Sequence, residues 1–346
     1  MLLLLLACTA PQKESEPPAK ESVEAVFEGL DTWSAATPLG TGRDHHVSFV
    51  DKTGGDFLYV MGGSSGHSAV SGIERSPIAA DGSLSGFERL DLMPEALLGM
   101  GLCGGDGRYV IAGGLDGTSN STKSVYIIHV QSDGSLTLEE APSLGMDRYH
   151  LTLACVGEWV FAMGGLQQRY DGGAPEQTVA TVVERSRWEG DGLAAWETVG
   201  DLPAPRTHQA VAVLDQAIYL LGGGEGASAT TTIWRSEVGE DGSPGAWTEV
   251  GTLPEARATS AAFFRGGKLY VVAGMKTLVG QEVATVLRGS LQADGSLSDW
   301  DEQSSLPMAR AHSHQAPIFG STLYSLGGSI DHIVQADVYQ TEFVAE

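Results

Sequence analysis

The stretch Tyr59-Val60-Met61-Gly62-Gly63 recurs five more times along the chain: YVIAG at 109–113, FAMGG at 161–165, YLLGG at 219–223, YVVAG at 270–274 and YSLGG at 324–328. Each copy is a short apolar run closed by two small residues. Self-similarity at a fixed period marks one supersecondary unit per copy, stacked on its neighbours. With Gly62, Ala112, Gly164, Gly222, Ala273 and Gly327 as markers, the steps are 50, 52, 58, 51 and 54 residues. A unit of that length has room for four short strands.

The flanks supply those strands. Before the run lies an alternating segment, as in QAVAVL at 209–214, and a tight turn such as Asp215-Gln216. After the small pair come a loop of variable length and a third apolar segment, SVYIIHV at 124–130 or TIWRSEV at 232–238. Asp-Gly-Ser at 81–83, 133–135, 241–243 and 294–296, with Gly190-Asp191-Gly192 in the third unit, predicts hairpins there, because such turns need positive φ. A fourth strand then carries Phe87, Leu138, Trp196, Trp247 or Trp300, and a Leu-Pro break at 202–203, 253–254 or 306–307 leads onward.

The small pair after an apolar strand, the downstream tryptophan and the Leu-Pro-x-x-Arg step resemble the kelch repeats of β-propellers, over roughly residues 29–346. The resemblance implies an all-β fold, a six-bladed kelch-type β-propeller. The last unit runs out after its third strand, at Phe343-Val344-Ala345-Glu346, while Gly29-Leu30-Asp31-Thr32-Trp33 reads like a fourth strand. The N-terminal strand is therefore expected to close the last blade and leave no free edge.

Composition bounds the function. The 46 glycines accompany 42% hydrophobic residues, which suits many turns around a packed core. Asp and Glu outnumber Lys and Arg by 44 to 20, for a net charge of -24. That balance excludes nucleic acid and anionic lipid surfaces as partners, since both require clustered cations. Leu2 to Leu6 form an apolar run too short to span a membrane, so residues 1–8 read as a targeting segment. Leu5-Leu6-Ala7-Cys8 resembles the lipobox of bacterial lipoproteins, which implies a lipid on Cys8. Residues 9–28 are dominated by Pro, Glu, Lys and Ser at their start and read as a disordered tether. The expectation is a monomeric propeller at residues 29–346, held in the cell envelope at the outer membrane or cell surface. The domain would sit in the periplasm or outside, touching membrane only through its anchor.

Arg-x-His precedes the first strand at Arg43–His45, Arg148–His150, Arg206–His208 and Arg310–His312; the fifth unit has Arg257 and Thr259, the second Ala96 and Leu98. Alternating strands place this step on the same face as the loop after the small pair. Arg43, Arg148, Arg206, Arg257 and Arg310 either ring one channel mouth, where they would hold a carboxylate or sulfate, or bond neighbouring blades. His45, His46, His150, His208, His312 and His314 are expected near the channel, but no spacing defines a metal site, and neither metal nor cofactor is expected. The loop QQRYDGGAPEQT at 167–178 accounts for the long step and offers Arg169, Tyr170 and Asp171 for ligand binding. Cys103 and Cys155 both lie nine residues before their markers, equivalent places in adjacent blades, and are expected as separate buried thiols.

No GxSxG, HExxH or Walker lysine motif is present. The leading expectation is a non-catalytic module that presents one propeller face to a protein or glycan. One alternative is a carbohydrate-active enzyme similar to the kelch-type sialic acid mutarotases. That resemblance implies arginines holding a carboxylate, with Glu176 or Asp171 as acid–base residue. Similarity to galactose oxidase carries over poorly, because its copper site needs a Cys–Tyr crosslink and neither Cys103 nor Cys155 sits in a suitable loop. A third reading is a structural spacer in an envelope complex.

Overall fold

The computed structural model describes residues 27–345 apart from His67; Cys8 and the tether up to residue 26 lie outside the described residues. Six antiparallel sheets follow the six repeats. In the fourth unit the strands Ala210–Leu214, Ala217–Leu221, Thr232–Glu237 and Thr248–Thr252 pair in chain order. Ala217–Leu221 is buried along its whole length, whereas most of Thr248–Thr252 is exposed. The second strand is apolar on both faces because an adjacent blade covers each face. The hydrophobic clusters accordingly lie between blades: one joins Tyr219 and Leu221 of the fourth unit to Leu269 and Val271 of the fifth.

The sixth blade takes its last strand from the other end of the chain, as expected. Val338–Ala345 pairs with Phe27–Leu30 and with Ser34–Ala36. Trp33, between those two segments, is buried and donates its indole N–H to the Ser304 carbonyl at 2.9 Å. Among the described residues the first strand starts at Phe27, two residues before the expected start of the propeller.

The second unit corrects the assumed register. Its second strand is Arg108–Ala112, so the small pair is Gly113-Gly114, and Ala112 ends the strand. The steps become 51, 51, 58, 51 and 54 residues, and Ala273 alone replaces a glycine. The structural counterparts of Arg-x-His in this unit are Leu97 and Gly99, rather than Ala96 and Leu98.

The small pair exists because two backbones meet there. The N–H of each pair's second residue donates to the next blade's backbone carbonyl at the arginine position. These bonds run from Gly63 to Leu97, Gly114 to Arg148, Gly165 to Arg206, Gly223 to Arg257, Gly274 to Arg310 and Gly328 to Arg43, at 2.7–2.9 Å. A Cβ on Gly222 would collide with the Arg257 carbonyl oxygen, so a side chain there would push the blades apart.

Of the two readings of the repeated arginines, a ligand-holding ring or bonding between blades, their surroundings favour the second. Arg43, Arg148, Arg206, Arg257 and Arg310 are all buried. Four fold back onto their own blade: Nη1 of Arg43, Arg148, Arg206 and Arg310 donates to the carbonyl of Gly62, Gly164, Gly222 and Gly327 respectively, at 2.7–3.0 Å. Arg43 also pairs with Glu74, and Arg148 with Glu184 at 2.6 Å. Arg206 stacks on Trp234, with its guanidinium carbon 3.9 Å from the ring centre. Arg257 instead bonds Thr285 and pairs with Glu255 at 2.6 Å. Burial lowers the pKa of Arg148 to about 10, against the raising influence of Glu184. Each of these arginine positions joins two blades: its backbone serves the preceding blade, and its side chain serves its own.

Cys103 and Cys155 are joined in a disulfide with Cα atoms 5.6 Å apart, which corrects the expectation of separate thiols. Innermost strands converge on the axis, which supplies the short distance. The corrected register supplies the orientation. Cys103 pairs opposite Val110 and Cys155 opposite Val160, so the two sit one position out of step, ten and nine residues before Gly113 and Gly164. Side chains on successive strand positions point to opposite faces. Equivalent positions would point the same way around the ring; an offset of one makes the two thiols face each other.

Two outcomes test this account. Arg148→Met should cost about 3–5 kcal/mol in urea unfolding, because Glu184 is left buried and unpaired. The double variant with Glu184→Leu should recover much of that; equal losses in the two proteins would refute the clamp. Alkylation of the unfolded, unreduced domain should leave Cys103 and Cys155 unmodified, and reduction should lower stability by roughly 2–4 kcal/mol.

Candidate functional site

One face of the propeller gathers the loops after the small pairs and the Arg-x-His steps. Bridges between Tyr149 and Leu166, Thr207 and Gly224, Ala258 and Met275, and Ala311 and Ser329 hold the two sets together. At the centre, six equivalent residues adopt a left-handed backbone: His45, Gly99, His150, His208, Thr259 and His312, with φ between 50° and 67°. Each of the first five donates its N–H to the carbonyl of the residue before it in the ring. Gly99 donates to His45, His150 to Gly99, His208 to His150, Thr259 to His208 and His45 to His312, at 2.7–3.2 Å.

This backbone turns the imidazoles inward, where they plug the channel. His45 stacks on His312 with centroids 3.9 Å apart, and His150 on His208 at 3.7 Å. His314 lies 5.7 Å from His150 and 6.1 Å from His312. The expectation that these histidines gather near the channel is met in the described residues. Burial pushes His150, His208 and His312 well below the ordinary imidazole range, and mutual repulsion adds to it. His314 falls to about 3 through burial and the neighbouring His45, and His46 to about 3 through burial and Arg43. His150, His208, His312 and His314 are therefore neutral rings at neutral pH. Beneath it, a cavity of about 530 Å³ opens toward the opposite face and is lined by Asp51, Tyr109 and His314 among others.

Outside the plug, three loops rise around a cavity of about 560 Å³. The third unit contributes the hairpin Leu166–Arg169 and Glu176–Val179. The fourth and fifth contribute Gly224–Glu225, Ser228–Ala229, Met275–Thr277 and Gly280–Glu282, which join in one small sheet. Gln177, Thr178, Thr207, Glu225, Leu278 and Val279 line the space, with His208 and Tyr149 on its inner side. The Tyr149 hydroxyl donates to Gln168 Oε1 at 3.0 Å, and Gln177 Nε2 donates to the same oxygen at 2.7 Å. Thr207 Oγ1 stands 3.1 Å from His208 Nδ1.

The long loop of the third unit thus takes part, but through other residues than those expected. Arg169, Tyr170 and Asp171 belong to the exposed tip and do not line the cavity. Arg169 is 76% exposed and 3.9 Å from Asp147; Asp171 accepts from the Gly173 N–H at 3.2 Å. Gln177 and Thr178 at the stem had no distinguishing signal beyond membership of that loop. Glu225, Leu278 and Val279 fall in loops of ordinary length and gave none.

The neutral histidines of the plug fix the sign of the pH dependence. Below about pH 6.5 the unfolded chain protonates these histidines while the folded chain does not. Stability present above that pH should drain away as pH falls from about 6.5 toward 3. Urea midpoints measured in chelator should decline steadily between pH 7 and 4, and His314→Gln should flatten the slope; a slope unchanged by that substitution would contradict a neutral His314.

No protein-family model matches the chain. It is 25% identical over 154 residues to beta-scruin of Limulus polyphemus, covering 42% of this chain and 16% of that protein. It is 29% identical over 119 residues to kelch repeat and BTB domain-containing protein 2 of Ectromelia virus (strain Moscow), covering 34% of this chain and 19% of that one. It is 28% identical over 181 residues to the kelch-like protein terF of Aspergillus terreus, covering 51% and 38%. The matches therefore span well under half of these relatives' own lengths. The solved structure of YjhT superposes with a TM-score of 0.68 at 12% identity, covering 88% of this chain and 95% of the other, a likeness of fold. With the repeats, the antiparallel sheets and the small-pair contacts, these similarities identify the chain as a kelch-repeat β-propeller.

Proposed function

We propose that the propeller is a non-catalytic binding module and that its ligand is a neutral glycan held in the cavity on the loop face. The observation that carries this reading is the cavity itself: amide, hydroxyl and aliphatic groups from three repeats converge on one space of about 560 Å³. That size and mixture suit a small polar ligand. Gln177, Thr178 and Thr207 offer hydrogen bonds; Leu278 and Val279 offer an apolar wall. No Lys or Arg is among the lining residues, and Glu225 is the carboxylate there. A sugar carboxylate would find no cation, so a mutarotase-like enzyme, which calls on arginine for that purpose, has less support. A spacer would need no cavity.

The envelope location belongs to the same reading. The Cys103–Cys155 disulfide supports an oxidising compartment, since such bonds persist outside the reducing cytosol. A lipid on Cys8 would hold the domain at a membrane surface, with the propeller as the part that meets its ligand.

An array of neutral and acidic glycans, followed by calorimetry on the strongest neutral responder, tests the assignment. Gln177→Ala should weaken binding about tenfold, the scale of one lost hydrogen bond, and Tyr170→Ala at the exposed tip should change it little. An array without neutral responders, or affinity indifferent to Gln177, would move the function to a protein ligand or to the spacer role.

A further inference from the structure

The plug contains a group of donors that the binding reading does not use. One ligand atom each from Asp44, His45 and His312 lies within 4.8 Å of the others. Asp44 Oδ1 and His45 Nδ1 are 2.8 Å apart. Both atoms are buried; they stand at ion-pair distance from each other, and neither has a further hydrogen-bond partner. Asp44 itself is 7% exposed. Ligands about 2.0–2.2 Å from a common tetrahedral ion stand about 3.3–3.6 Å from one another; Asp44 and His45 are somewhat closer than that at 2.8 Å, and the three donor atoms fall within 4.8 Å of one another.

The scaffold fixes all three. The Asp44 N–H donates to Ser64 at 3.1 Å, and the His45 N–H donates to the His312 carbonyl at 2.9 Å. His45 and His312 both carry the left-handed backbone that turns their rings inward. Ser329 Oγ, 3.1 Å from His312 Nδ1, orients that ring. Around them stand His150 and His314, with centroids 4.9 and 6.2 Å from His45; His150 Nδ1 and His314 Nε2 are likewise buried without a hydrogen-bond partner.

We propose that Asp44, His45 and His312 form a site for one divalent transition-metal ion of the zinc class, bridging the first and last repeats. Imidazole and carboxylate donors favour zinc, nickel or copper over magnesium or calcium, which take oxygen ligands. Three protein ligands leave a coordination position for water or for a fourth imidazole. The ligands come from opposite ends of the chain, which is why no spacing in the sequence announces the site. The site stands independently of the glycan cavity.

The purified full chain, stripped with chelator, is to be titrated with Zn²⁺ by calorimetry and with Co²⁺ by visible absorption. The expected result is one ion per chain, visible cobalt bands and a raised thermal midpoint. Asp44→Asn and His312→Gln should each weaken binding by at least about tenfold, while circular dichroism in chelator stays that of the parent protein; His129→Gln, at a distant surface site, should bind like the parent. Should Asp44→Asn fail to fold, His312→Gln and the cobalt spectrum of the parent carry the test. A parent protein that takes up no ion, or variants that bind as tightly as the parent, would overturn the site.

Discussion

The structure depends on one backbone contact, the N–H of a small residue donating to the carbonyl at the arginine position of the next blade. It occurs at every repeat and closes from Gly328 to Arg43. A hydrogen bond of this kind contributes only about 1 kcal/mol net, but its geometric demand is severe. Two backbones must approach with no Cβ between them. The demand explains the small pair and the left-handed residue two positions after each arginine. It also places the loops and the Arg-x-His steps on a common face. In a stack of repeats each unit is stabilised chiefly by its neighbours. This contact is how one neighbour fixes the position of the next.

The arginines belong to that contact more than to any ligand. From the sequence, a charge repeated at the entry to each blade fits either a ring around a channel or a buried clamp. The residues that decide between them, Glu74, Glu184 and Trp234, stand about thirty residues further on, in the third strand. Nothing local marks them as partners. The histidines were legible as a group near the axis, yet their stacking rests on φ values near 55°, which the residue types do not announce. The fold itself was legible because the same marks return about every 51 residues. The second unit shows the limit of that reading: Arg108-Tyr109-Val110-Ile111-Ala112-Gly113-Gly114 accepts two alignments, and a shift of one residue reverses which way every side chain of the strand points.

The loop face shows a similar division. The length of the third unit's loop drew notice, and its stem lines the cavity, whereas charge and aromatic character pointed to its tip. Tip residues are solvated because a hairpin carries them away from the scaffold. Stem residues such as Gln177 stay where neighbouring loops converge. A cavity built from three repeats is a property of their arrangement around the axis, so no single segment of sequence contains it.

The disulfide has a consequence for how the ring opens. The second repeat is the one whose clamp position holds an apolar side chain, Leu97. No guanidinium ties that residue to the carbonyl of Gly113. The covalent bond from Cys103 to Cys155 encloses the remaining strands of that same repeat, Arg108–Ala112, Val125–Val130 and Leu136–Glu140, in a closed loop of chain. The blade that lacks the arginine clamp is thus tethered to its successor at the innermost strand. Reduction would leave that blade with neither the guanidinium clamp nor the covalent tether.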